Sequence, residues 1–156
     1  MIKRRWYAAA LLLLACGGSA KPGEVRPATT AMSAVQGFMQ AVADSDLAKM
    51  ATLWGTAKGP AAKTRTPSDY ERRIAVMQAY LANDDYRILA DAPEGLATRH
   101  AVQVQLRRQA CTYTVPFTVI QLADTHWIVN EIDLTAAGNP KRPCSPGDAD
   151  TTSTSP

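Results

Sequence analysis

The stretch His100-Ala101-Val102-Gln103-Val104-Gln105-Leu106-Arg107 settles the fold class. Apolar and polar side chains alternate through it, which is the period of a strand with one face in a core and one in water. The chain beyond it continues in the same manner. Cys111 to Leu122 is rich in Thr, Val, Tyr, Phe and Ile and reads as the next strand. Pro116 within it predicts a bulge or an unpaired edge position. Asp124-Thr125 makes a tight connection to a fourth strand over His126 to Leu134. Ile128, Ile132 and Leu134 are expected on one face of that strand, with Trp127 and Val129 on the other. Before His100, Tyr86 to Ala90 reads as a short first strand, closed by a turn at Ala92-Pro93-Glu94-Gly95.

Upstream of residue 86 the period changes to that of a helix. Val35, Phe38, Met39 and Val42 form one apolar stripe, and Thr29 or Thr30 supplies a cap. Asp44-Ser45-Asp46 interrupts the stripe. Ser45 or Asp46 then caps a short second helix whose apolar face is Leu47, Met50, Leu53 and Trp54. Gly55 to Arg65 reads as a loop around Gly59-Pro60. A third helix is expected to start with Thr66 as cap, Pro67 at the first position and Asp69 where a capping-box acid belongs. Tyr70, Ile74, Met77 and Leu81 form its apolar stripe, and it should end near Asn83 and Asp84. Helices followed by antiparallel strands define an α+β domain. No strand is expected between the second and third helices.

The N-terminus carries a different message. Lys3, Arg4 and Arg5 precede an apolar run from Trp6 to Ala15, too short for a permanent membrane span. Leu13-Leu14-Ala15-Cys16 resembles the lipobox of bacterial lipoproteins. The resemblance implies cleavage of residues 1–15 and lipidation of Cys16, with palmitate-type acyl chains holding the protein to the cell envelope. Gly17 after the cysteine is similar to the pattern of outer-membrane lipoproteins. Residues 16–30, with Lys21-Pro22-Gly23 and Arg26-Pro27, then read as a flexible tether.

Loss of the signal changes the charge argument. The whole chain has 17 basic and 14 acidic side chains, a net charge of +3. Removing the three basic residues of the signal leaves the two signs balanced. A neutral chain lacks the basic face that nucleic acid demands. Three cysteines are present. With Cys16 used by the anchor, Cys111 and Cys144 are expected to pair as a disulfide in an oxidising compartment. Residues 136–156 read as a tail, partly disordered, in which Ser, Thr, Pro and Asp dominate the end.

Val35-x-x-Phe38-x-x-Ala41-x-x-x-x-Asp46-x-x-x-Met50-x-x-Leu53-Trp54 resembles the opening helices of the nuclear-transport-factor-2-like superfamily, which has a cystatin-like cone. Trp127-Ile128-Val129-Asn130-Glu131-Ile132 is similar to its last strand. The resemblance covers residues 31–135. It implies a curved antiparallel sheet of about four strands packed on the N-terminal helices. Members include isomerases, polyketide cyclases and dehydratases, as well as non-catalytic lipoproteins, so the fold alone does not choose a function.

The polar inventory for chemistry is thin. Trp54, Tyr70, His100 and Tyr113 are the residues expected to line a pocket, with His100 or Tyr113 as acid, base or donor if the domain is catalytic. No motif calls for a metal or a cofactor. Lys58, Lys63, Arg65, Arg72 and Arg73 form a basic group, read either as a solvated surface or as a face for anionic headgroups or an acidic partner. The favoured expectation is a lipid-anchored binding or assembly module without a catalytic site. Its partners would be the membrane and an envelope protein or a small apolar ligand. The alternative is a small-molecule isomerase- or cyclase-like enzyme or carrier. Pairing with a second copy through the third strand is left open.

Overall fold

A computed structural model describes residues 27–142 and Cys144. The expected signal peptide, Cys16 and most of the expected tether lie outside the described residues, as do 145–156. Helix α1 (Ala31–Ala43) opens with a capping box. Thr30 Oγ1 accepts from the Ser33 amide, and the Ser33 hydroxyl accepts from the Thr30 amide, both at 3.1 Å. The capping box satisfies two donors that the helix itself leaves free. Ala34, Val35, Phe38, Met39, Ala41 and Val42 form its buried face. Helix α2 (Leu47–Leu53) is capped by Asp46, whose carboxylate accepts from the Lys49 amide at 2.9 Å. Met50 and Leu53 are buried, but Leu47 is 43% exposed, because the first turn of α2 projects beyond the core.

The 55–65 loop is more structured than its composition predicts. It holds β1 (Gly55–Thr56), β2 (Gly59–Pro60) and the one-turn helix α3 (Ala61–Thr64). Gly55 is required there. A Cβ at this position would collide with the Gly59 carbonyl and the Ala61 nitrogen across the hairpin. Helix α4 (Tyr70–Leu81) begins later than expected. Asp69 is its N-cap residue but makes no capping bond, because its carboxylate accepts from Arg73 Nε at 2.9 Å instead. Thr66 and Pro67 therefore belong to the preceding turn, and α4 closes at Leu81, before Asn83. Tyr70, Ile74, Met77 and Leu81 are buried along it.

Strands β3 (Asp85–Glu94), β4 (Leu96–Arg108), β5 (Cys111–Gln121) and β6 (Trp127–Ile132) make an open antiparallel sheet in that order. β3 runs through the Ala92–Glu94 segment expected as a turn, and the chain reverses at Gly95 alone. Leu89 is the extra residue of a bulge in β3, left unpaired and 47% exposed. Pro116 lies in an interior strand, opposite Gln103, rather than at an edge. Its carbonyl accepts from the Asp133 amide, just past the end of β6. The missing N–H therefore falls where the neighbouring strand runs out, which makes proline tolerable.

A second bulge corrects the faces of β6. Val119 pairs with Val129 and Phe117 with Ile132, so Asn130 is the extra residue. Ile132 thereby joins Trp127 and Val129 on the helix-facing side, while Ile128 stays on the other. α1 lies against β4, β5 and β6. Between them Phe38 meets Phe117 edge to face, with ring centroids 6.4 Å apart. Such a contact adds about 1 kcal/mol beyond the burial of each ring. Met39, Val35, Val102, Val104, Leu106 and Val115 fill the rest.

The packed unit reaches past residues 31–135 at both ends. The Ala28 carbonyl accepts from the Trp127 amide at 3.0 Å, and Ala28 is buried against the core. The 3-10 helix Leu134–Ala137 buries Ala137. Beyond it, Cys144 is bonded to Cys111 across a Cα separation of 5.8 Å.

Candidate functional site

The residues singled out in the sequence are distributed between the two ends of the sheet, helix α4 and a groove beside β6. His100 and Tyr113 lie on the helix-facing side but far apart. His100 pairs with Val119, Tyr113 with Leu106. Six residues of β4 separate the two positions, about 20 Å at the usual strand rise. His100 Nδ1 sits 2.5 Å from Asp91 Oδ1, with both side chains 21% exposed. The imidazole meets Trp127 edge to face at 4.8 Å. At the other end Tyr113 lies beneath the Arg108 guanidinium, 5.4 Å from its ring centroid, and against Gly138. Gly138 has φ +67°, and a Cβ there would strike the tyrosine ring.

Tyr70 is engaged on α4. Its hydroxyl donates to Glu71 Oε1 at 2.9 Å and accepts from Arg65 Nη1 at 2.5 Å. The Glu71 hydrogen bond holds the phenol above the ordinary tyrosine range, with burial adding to it. Trp54 is buried and bridges to Val129 alongside β6. These four side chains therefore do not converge on one centre. Nor does the basic group stay together: Arg65 covers Tyr70 and pairs with Glu71, and Arg73 is paired with Asp69.

A groove of about 710 Å³ around the C-terminal end of β6 is where side chains do converge. This falls within the range typical of small-molecule sites. Several discontinuous segments build it. α4 contributes Arg72, Val76 and Met77, and the turn before it Thr66, Pro67 and Asp69. Trp54, Gly55 and Thr56 form a second side, held to the sheet by Asn130 Nδ2 donating to the Gly55 carbonyl at 2.8 Å. The floor is Pro116 and Thr118 of β5 together with Ile132 and Leu134. Both the β6 bulge and the β1–β2 hairpin are needed to make it. One presents Asn130 to Gly55, and the other carries that carbonyl.

The charges in the groove are unequal in their commitments. Asp69 is ion-paired with Arg73, whose hydrogen bond pulls its carboxyl below the ordinary range. Asp133 accepts from the Thr135 hydroxyl and amide, and the hydroxyl bond chiefly lowers its pKa. Glu131 lies 3.6 Å from Arg99. Arg72 makes no ion pair or side-chain hydrogen bond among the described residues. Of the residues expected to line a pocket, only Trp54 belongs to this groove. Arg72 stands out in the sequence for its charge, but nothing there joins it to Pro116, Asn130 or Leu134.

No family model, curated protein or solved structure matches this chain. The class that the geometry supports is an α+β domain, with four α-helices and an open four-stranded antiparallel sheet among the described residues. Among the described residues no helix is long and apolar enough to cross a membrane.

Proposed function

We propose that this chain is a lipid-anchored binding or assembly module of the bacterial cell envelope, held through acylated Cys16 to the outer membrane. Its nuclear-transport-factor-2-like domain works through the groove at the end of β6. The observation that carries this reading is the contrast between a filled interior and an open groove. Phe38, Phe117 and Met39 occupy the space between α1 and the sheet. The groove sets apolar side chains such as Trp54, Val76, Met77 and Leu134 beside charged and hydroxyl groups, a mixture suited to recognition. The anchor rests on the Leu13-Leu14-Ala15-Cys16 pattern.

The test is a native mass spectrum of the protein extracted from its own membranes with detergent. The expected species carries acyl chains on Cys16, a Cys111–Cys144 disulfide and an additional bound mass. A Val76→Arg variant should lose that bound mass and keep the acylation, since Val76 is 41% exposed and lines the groove. An unacylated, water-soluble chain would remove the anchor. A bound mass indifferent to Val76→Arg would move the seat elsewhere.

The Asp91–His100 pair favours a second reading, a small-molecule enzyme of the isomerase or cyclase type. A carboxylate beside an imidazole orients it for proton transfer. In that case His100→Ala abolishes the cellular phenotype while bound mass and fold survive. Retention of the phenotype in that variant excludes this catalytic form.

A further inference from the structure

We infer that the domain rests on the bilayer through the end of the sheet where β3 turns into β4, with Leu96 entering the interface. This rests on the lipid anchor of the proposed function and adds the face that meets the membrane. Leu96 is 70% exposed, and no other large apolar side chain among the described residues exceeds 47%. It stands at the tip of a hairpin that projects from the sheet. Arg99–Ile120 is the last pair between β4 and β5, so Leu96, Ala97 and Thr98 extend past it, about 10 Å at the usual rise. The tip also stands clear of its surroundings. Gly95 has φ +74°, and a Cβ there would meet nothing within 4 Å.

The path of the chain brings the anchor to this same end. Ala28 bridges to Trp127, the first residue of β6, and Trp127 pairs with Gln121, the last of β5. Residues 16–26 connect acylated Cys16 to the domain, and they reach at most about 35 Å. Within that radius a contact too weak to hold a free domain becomes intramolecular and is populated through a high effective concentration. Between Ala92 and Arg99 the only charged side chains are Glu94 and Arg99, ion-paired at 2.8 Å. The tip therefore brings no net charge to the interface, and its leucine leaves water on entering it. This orientation also turns the groove outward. β6 runs from Trp127 at the docked end to Ile132 in the groove, which leaves the groove facing away from the bilayer.

The test places the full acylated protein in phosphatidylcholine nanodiscs that contain a lipid spin-labelled just below its headgroup. The methyl signals of Leu96, Ala97, Leu47 and Val76 are followed. The spin label should broaden Leu96 and Ala97 strongly. Leu47 on α2 and Val76 on α4 are exposed as well and should keep their intensity. Leu96→Asp should restore the Ala97 signal while acylation and attachment to the disc persist. Unchanged methyl signals of the buried Val104 and Val115 report that the variant keeps its fold. An attached protein whose Leu96 and Ala97 signals stay sharp overturns the docking and leaves the anchor. Broadening centred on Leu47 or Val76 overturns it in favour of another face. Ala97 broadening that survives Leu96→Asp overturns Leu96 as the contact. A chain that carries no acyl group and stays off the disc removes the anchor, and the docking with it.

Discussion

The two ends of the four-stranded sheet are held by different means. Where β4 turns into β5, bonds from distant parts of the chain meet. Cys111 is joined to Cys144, and Arg108 reaches across to both the last turn of α4 and the 3-10 helix. Its guanidinium donates to the Tyr80, Ala82 and Ala137 carbonyls, three acceptors that helix ends leave unsatisfied. A cation here also suits the negative end of the α4 dipole. At the opposite end the contacts are shorter in reach. His100 lies between Asp91 and the buried Trp127 ring there, and the Ala28 carbonyl supplies a single bond. One end is therefore braced, tied to distant segments of the chain by a covalent bond and by Arg108. The other, the open end, is held by contacts between neighbouring strands, among them the Arg99–Glu94 ion pair at 2.8 Å.

The largest effect should come from the braced end. Replacing Cys111 and Cys144 with serine releases a loop of 33 residues, with an expected loss of about 3–4 kcal/mol in the chain-entropy account. Equilibrium denaturation of the double variant measures it. Arg108→Ala should cost about 2 kcal/mol, since it strips a charged donor from three carbonyls. Arg108→Lys should recover only part, because an ammonium cannot span acceptors on two elements. At the open end His100→Ala should cost about 1 kcal/mol, the worth of an edge contact with Trp127. If His100→Ala costs as much as Arg108→Ala, the contrast between the ends is lost.

The smallest effect is a change of pH dependence at Tyr86, which pairs with Leu106 near the braced end. Burial holds its phenol above the ordinary tyrosine range. The unfolded chain therefore loses its proton first as pH rises. The stabilising contribution is complete below the unfolded value and is lost as pH climbs through the folded one. Tyr86→Phe should flatten this alkaline decline and leave neutral stability nearly unchanged. Chemical denaturation at several alkaline pH values checks the sign.

How much of this is legible in the sequence depends on how far each feature reaches. The stripe of α1, its Thr30 cap and the Asp46 cap of α2 are set by residues within a few positions of one another. The alternation of β4 likewise states its own buried face. The start of α4 is easily misread because Asp69 has two competing roles. A capping role is visible three residues from Thr66, and the rival Arg73 stands four residues away. The face of Ile132 is unreadable for a different reason. The Asn130 bulge exists only in the pairing with β5, and period two fails wherever an extra residue enters. The groove is hidden for the same reason, since it is assembled where separated segments end. The hairpin at 55–60, which supplies one of its sides, is too short to leave a pattern.

The Cys111–Cys144 bond also changes how the protein bears load. Pulled by its two ends, the chain transmits tension from Cys111 directly to Cys144, bypassing everything between. β5, β6 and the 3-10 helix then carry no force along the backbone. The bypass hides a contour of roughly 110 Å, taking the extended reach of each residue. A force trace on the oxidised protein should end short by that length, and reduction should restore it.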